Sequence, residues 1–480
     1  MSSSIIRGYI RRGDDFLEDK ERSSFSGSVG FVLAAAGSAV GLGNIWRFPY
    51  LAAKNDGGLF LTVYIALALT FGFALLMTEI AIGRMTKSSP LKAYGMLNGK
   101  FKWIGFFATL VPFIIFPYYC AIGGWVTKYS LAYLTGVGEG VAADGFFGGF
   151  ITSTTEPIAL MAVFLLISSL AIVSGVNKGI ERVSKVLMSA LLILIIAIAV
   201  FALTISHTEN GVTRTGMDGL FVYIVPDLSN VTLSHFIGVF LDAMGQLFFS
   251  ISVAMGIMVA YGSYFKDSGN ISKSVIHIEF FDWLVAFLAG IMIILPLYVF
   301  MGREGMEVAG PSLVFVTMPK IFVEMGAIGS FVGVAFFVMV FFAALTSNIS
   351  IMEAIVSSLM EHFNISRKTA TLAQTVIALI IGGIVCLGYN AFYFEVKLPT
   401  GATGQILDIM DFISNNLLMP LVAISTCILI GWFVGPKKII AEVTKNGENF
   451  YIPGLYTFLM KYGAPIILTI LLFRSVGLLS

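Results

Sequence analysis

The chain has 480 residues, 57% of them hydrophobic and 12% charged, where a soluble domain carries roughly 25% charged residues. So little charge cannot cover a water-facing surface, and the apolar residues run in stretches of about 20, enough to cross a bilayer core of ~30 Å. A net charge of +1 excludes a nucleic-acid-binding face, and the scattered histidines exclude the spacings of a metallohydrolase.

In chain order, residues 1–28 are polar and mixed in charge. They lack the short apolar core of a signal peptide and are expected to form a cytoplasmic tail. Eleven apolar segments follow, centred near residues 40, 70, 118, 165, 194, 250, 287, 343, 380, 420 and 467, the last interrupted at Lys461 and Pro465. Cys120, Cys386 and Cys427 fall inside these segments and are expected to be buried thiols, with no disulfide or metal motif open to them. Of the 29 Lys and Arg residues, 21 lie on one side of the alternating loops. The other side holds Lys54, Arg214, Arg303, Lys320, Lys397 and Arg474, while Arg47 and Lys128 lie within or near spans. Basic residues stay on the cytoplasmic side, so the N-terminus is expected inside and, after eleven spans, the C-terminus outside. Long outer loops at 135–155, 206–235 and 301–325 are expected to cap a vestibule. No linker divides the chain, so 29–475 is expected to form one all-α membrane domain.

Span 1 places Gly37, Gly41 and Gly43 near mid-membrane with Ser38 and Asn44 beside them, and Arg47 and Pro49 just beyond. Glycines spaced by four also suit close helix packing, so one pair alone would not argue for a break. Three together weaken a helix interior, and span 6 has a counterpart in Gly245-Gln246-Leu247-Phe248-Phe249-Ser250-Ile251-Ser252-Val253-Ala254-Met255-Gly256. The two segments lie five spans apart. An odd number of spans per half inverts the second half, giving a five-plus-five inverted repeat, here about 29–205 and 236–434 with an extra helix at about 453–475. Paired interruptions in corresponding spans point to a transporter site. Unwinding frees N–H groups for an anion and carbonyls for a hard cation.

The run Ala36-Gly37-Ser38-Ala39-Val40-Gly41-Leu42-Gly43-Asn44-Ile45-Trp46-Arg47-Phe48-Pro49-Tyr50, with Gly245–Ser250 and Ala344-Leu345-Thr346-Ser347, resembles the neurotransmitter:sodium symporter family, which has the LeuT-type fold. The resemblance extends from residue 22 to about 475. It implies two sodium ions. The first would take Ala39 (carbonyl), Asn44, Ser250 and Asp282; the second Gly37, Val40 and Ala343 by carbonyl, with Thr346 and Ser347 by hydroxyl. It also implies a substrate pocket of Ala39, Leu42, Gly43, Ile115, Tyr119, Phe249, Ser250, Ser252, Met255, Ser347 and Ile351. The Leu42 and Gly43 N–H groups and the Tyr119 hydroxyl would hold a carboxylate.

Gly41 stands where monoamine-carrying relatives have aspartate, so the resemblance implies that the substrate brings its own carboxylate: an α-amino acid, with a hydrophobic or aromatic side chain admitted by Met255. Asp282 stands where relatives often have asparagine. A carboxylate inside a span is costly and by default functional; here it would replace chloride as the counter-charge and open a route for proton counter-transport. Glu79 is expected to accept N–H groups freed by the span 6 break, and Ala254, where glycine is common, is expected to limit that opening. The resemblance implies an outer gate of Arg47 and Asp411 above Tyr119 and Phe249, and an inner gate of Arg22 and Glu361 near Tyr264.

A channel would need a continuous polar pore, and an enzyme a nucleophile–base or metal cluster; the sequence offers neither. The expected partners are therefore the amino acid, sodium and the lipid bilayer of the cell's inner membrane, with no nucleic acid and no obligate protein partner. An amino-acid receptor that does not translocate its ligand is the remaining alternative.

Overall fold

The computed structural model describes residues 24–209, 211–226, 231–399 and 401–479. Most of the expected tail, Arg22 included, lies outside the described residues. The described chain is almost wholly helical; two short hairpins, Ser206–Glu209 with Val212–Thr215 and Val396–Lys397 with Thr403–Gly404, sit in loops. Among the described residues ten helices are long and apolar enough to cross a membrane, and a bent pair supplies one more, which matches the eleven apolar segments.

Span 1 is that pair, Ser28–Ala39 and Gly43–Lys54, bent by 56°. Spans 2 to 5 are Gly58–Thr86, Gly99–Leu134, Glu156–Val173 and Val176–Thr204. Span 6 has an outer half, Leu233–Ser250, and a short inner half, Ile257–Ser263. Spans 7 to 11 are Ile271–Met301, Ala327–Phe363, Arg367–Leu387, Ile406–Val434 and Pro453–Ser475. Lys461 and Pro465 interrupt neither the length nor the helicity of the last. The expected capping loops carry short helices, Phe146–Ile151, Gly216–Ile224 and Met318–Glu324.

The helices bury an apolar interior and leave rings and branched side chains such as Ile193, Leu233, Phe331 and Leu372 exposed around it, as lipid-facing surfaces require. Spans 1, 6 and 8 meet at its centre. Small residues make this possible: a Cβ on Gly37 would lie 3.2 Å from the Thr346 Cβ, so spans 1 and 8 are already in contact there.

Candidate functional site

The break in span 1 begins where Val40 turns to extended backbone (φ −73°, ψ 95°). Asn44 stabilises the turn locally, because its Oδ1 accepts the Gly41 N–H at 3.2 Å. In span 6, Ser252, Ala254 and Gly256 take positive φ of 55°, 63° and 70°. Left-handed backbone costs a residue with a Cβ about 1–2 kcal/mol, so two of these three positions are strained. Ala254 therefore does not limit the opening as expected; it adopts the left-handed turn. Its N–H donates to Glu79 Oε1 at 2.7 Å, a hydrogen bond that offsets part of the strain.

The two breaks are joined. Ser252 Oγ donates to the Ser38 carbonyl at 3.0 Å, and Ser38 Oγ donates to Ser252 Oγ at 3.1 Å. Between them lies a cavity of about 40 Å³ lined by Ser38, Ala39, Gly41, Leu42, Gly43, Asn44, Ile115, Tyr119, Phe249, Ser250, Ser252, Met255, Ser347 and Ile351. Every substrate-pocket residue expected from the sequence borders it. The Tyr119 hydroxyl is buried without a hydrogen-bond partner, so it has donor capacity to offer a ligand. A Cβ on Gly41 would lie 2.8 Å from Ser347 Oγ and 3.3 Å from the Tyr119 hydroxyl; one on Gly43 would lie 2.7 Å from the Phe249 ring. At both positions only glycine leaves the backbone this close to its neighbours.

Two oxygen-rich clusters flank the cavity. In the first, Asp282 is 1% exposed. Its Oδ1 accepts Asn44 Nδ2 at 2.8 Å and Ser250 Oγ at 2.7 Å, and its Oδ2 accepts the Tyr64 hydroxyl at 3.1 Å. Ala39 borders the same cavity through its place on span 1. In the second, Ser347 Oγ lies 3.3, 3.2 and 3.2 Å from the carbonyls of Gly37, Ser38 and Val40. Thr346 Oγ1 turns back to the carbonyls of Phe342 (3.0 Å) and Ala343 (3.1 Å), as hydroxyls in helices commonly do. Oxygen donors with at most one carboxylate suit a hard monovalent cation; soft-metal ligands are absent from both groups.

The gates differ from expectation. Arg47 and Asp411 are not within ion-pair distance of each other. Asp411 Oδ1 instead accepts the Tyr118 hydroxyl (3.0 Å) and Asn415 Nδ2 (2.6 Å), while the Arg47 guanidinium lies 5.6 Å above the Phe249 ring. The acid already has two donors and the cation an aromatic face, so each has partners without a direct ion pair between them. Phe249 also borders an outer cavity of about 360 Å³ shared with Arg47, Asp242, Asn415 and Arg474. On the inner side Glu361 Oε2 accepts the Ser89 N–H at 2.6 Å, and its Oε1 lies 3.9 Å from Lys92. Tyr264, expected near Glu361, engages another acid of span 8. Its hydroxyl donates to Glu353 Oε1 at 2.6 Å, eight residues and ~12 Å earlier along span 8. Glu353 is fully buried, and Arg367 grips both its oxygens at 2.5 and 2.9 Å.

Glu353 escaped the sequence reading although it stands in an apolar run, Met352-Glu353-Ala354, the same signal that singled out Asp282 and Glu79. Glu279, one turn before Asp282, carries that signal too; it is 6% exposed, and its Oε1 has no hydrogen-bond partner. Tyr64 carried no signal, because a tyrosine in an apolar span reads as packing until its partner is placed.

Comparison with known proteins agrees with this geometry. Residues 22–137 and 150–479 match the family described as Sodium:neurotransmitter symporter family. The chain is 31% identical to the sodium-dependent transporter YhdH of Bacillus subtilis over 97% of its own length and 100% of that protein's. It is 24% identical to the human sodium- and chloride-dependent GABA transporter 2, over 88% and 75%. The crystal structure of MhsT in complex with L-phenylalanine superposes with a TM-score of 0.81 at 33% identity, covering 95% of this chain and all of that one.

Proposed function

Because the chain belongs to the sodium:neurotransmitter symporter family, we propose that it carries a hydrophobic or aromatic α-amino acid into the cell with sodium, by alternating access. The observation that supports this most is the cavity between the two breaks. It offers the Leu42 and Gly43 backbone and the free Tyr119 hydroxyl to a carboxylate, and Ile115, Phe249, Met255 and Ile351 to an apolar side chain. The position of Gly41 leaves no protein carboxylate there to replace the substrate's own. L-Phenylalanine in the MhsT complex supports an aromatic substrate. A cavity of about 40 Å³ admits such a side chain only by repacking, for which the flexible Met255 is suited.

Two sodium ions would accompany it, the first at Ala39, Asn44, Ser250 and Asp282, the second at Gly37, Val40, Ala343, Thr346 and Ser347. Asp282 would supply the counter-charge, so transport would proceed without chloride, and on release of sodium the same carboxylate would take up a proton and return it. Phe249 beneath Arg47 would close the outer path. Tyr264 with Glu353 and Arg367 would close the inner one, alongside Glu361. The repeats at about 29–205 and 236–434 would rock about the paired breaks, with the N-terminus cytoplasmic and the chain in the inner membrane.

A thermal-shift screen of the twenty amino acids on the purified protein, with and without sodium, tests binding, since a ligand stabilises the state it binds. Stabilisation in potassium or choline equal to that in sodium would sink the coupling. Amines such as tryptamine should bind far more weakly than tryptophan, because each charge-assisted bond lost is worth ~1.5–3 kcal/mol. Uptake of labelled substrate into proteoliposomes, driven by a sodium gradient, separates a transporter from a receptor that binds without translocating.

A further inference from the structure

We propose that the seam between the ends of spans 3, 10 and 11 is a binding site for the headgroup of an anionic phospholipid, on the face that the excess of Lys and Arg assigns to the cytoplasm. The turn Gly99–Phe101 enters span 3 between Lys100 and Lys102, and the Phe101 ring lies 4.7 Å from Phe433 at the end of span 10. Just beyond Gly435, that end continues into Lys437 and Lys438, both exposed, on the short helix Pro436–Val443, whose Ile439 and Val443 are buried. Beside Phe433, Trp432 donates its Nε1–H to the Lys461 carbonyl at 3.2 Å, and the Lys461 ammonium sits 5.4 Å above its ring.

None of these five lysines has an acidic partner within ion-pair distance among the described residues, whereas Lys87, Lys92 and Lys445 on the same face each have one. Unpaired cations are thus gathered where three apolar spans reach the water. Trp103, Phe106, Trp432 and Phe433 are all more than 40% exposed beside them. Amphipathic rings at that level anchor a span in the headgroup region, and lysine stems lie along apolar surface while their charges reach outward. Cations above and rings below fit a ligand with a phosphate at one end and hydrocarbon at the other. Basic seams between spans on this side of a membrane are the setting in which anionic headgroups bind.

The full-length protein in a neutral detergent tests this by thermal unfolding with added phosphatidylglycerol, phosphatidylcholine or inorganic phosphate. Phosphatidylglycerol should raise Tm well above phosphatidylcholine, inorganic phosphate should not, and salt should weaken the effect. Each surface lysine is worth about 1 kcal/mol to an anionic headgroup, so K437Q/K438Q or K100Q/K102Q should weaken lipid binding roughly 30-fold, and K397Q on the opposite face should not. Sodium-dependent stabilisation by amino acid should survive in both double variants, which separates this site from the substrate pocket. Equal shifts from the two lipids, a shift reproduced by inorganic phosphate, or undiminished binding by the combined four-lysine variant would overturn the proposal.

Discussion

Replacing Asp282 by asparagine removes a charge while leaving the local hydrogen bonds almost intact. Oδ1 receives two donors, Asn44 Nδ2 and Ser250 Oγ, whereas Oδ2 receives only the Tyr64 hydroxyl. An asparagine would keep its oxygen toward the first pair and turn its amide toward Tyr64, whose hydroxyl can accept as readily as it donates. Thermal stability should therefore change little. The charge is another matter. A sodium ion about 4 Å from a carboxylate gains about 4 kcal/mol at an effective dielectric near 20, equivalent to almost three orders of magnitude in affinity. The amide oxygen retains part of that, so Asp282→Asn should raise the sodium concentration for half-maximal substrate binding by tenfold or more. The assay is equilibrium binding of labelled amino acid across a sodium titration, in chloride and in gluconate. Tyr64→Phe removes a donor but no charge and should shift the midpoint less. A midpoint for Asp282→Asn within twofold of the wild type would refute the reasoning, as would a wild type that binds only in chloride.

Gly41→Ala should weaken substrate binding by about 1–3 kcal/mol, because its methyl would sit 2.8 Å from Ser347 Oγ and overpack the pocket; calorimetric affinities within a factor of two would contradict this. Ala254→Gly should be neutral or stabilising by about 1 kcal/mol, since glycine adopts φ 63° freely, while the same change at Ala260 in the helix Ile257–Ser263 should destabilise; thermal unfolding of the two variants compares them. Arg367→Gln strands the buried Glu353 and should cost about 3–5 kcal/mol of stability, which the added change Glu353→Gln should largely restore; a single variant as stable as the wild type would show that the pair is not coupled.

The spans and both breaks were legible in the sequence because their signals are local: apolar length for the spans, and glycine or hydroxyl residues at mid-span for the breaks. The cavity-lining residues on span 1 lie in a long motif, whereas Ile115, Tyr119, Met255 and Ile351 were expected only through the family resemblance. What stayed hidden depended on side-chain geometry between distant segments. That Tyr264 donates to Glu353 follows from the way span 6 crosses span 8, a placement that spacing along the chain does not encode. Arg47 rests on Phe249 while Asp411 is held by Tyr118, partners that only the packing of spans 1, 3, 6 and 10 brings within reach. Ala254 misled because residue preference disfavours a left-handed alanine; the Glu79 carboxylate on span 2, far off in sequence, tips the balance.

Ser347 has one proton and three carbonyls to give it to, those of Gly37, Ser38 and Val40, each within 3.3 Å. Whichever oxygen receives the proton, the other two get none from Ser347; the Ser38 carbonyl has a second donor in Ser252 Oγ, but the Gly37 and Val40 carbonyls share only this one side-chain donor, so the knot between spans 1 and 8 is under-satisfied. A small cation could answer several of those oxygens together, where the hydroxyl answers one. Spans 1 and 8 would then be fastened more firmly with the ion than without it, and the fastening would come undone when the ion left. Backbone carbonyls do not titrate, so this clasp should work alike at acid and at neutral pH. Its two settings would be chosen by the concentration of the ion alone.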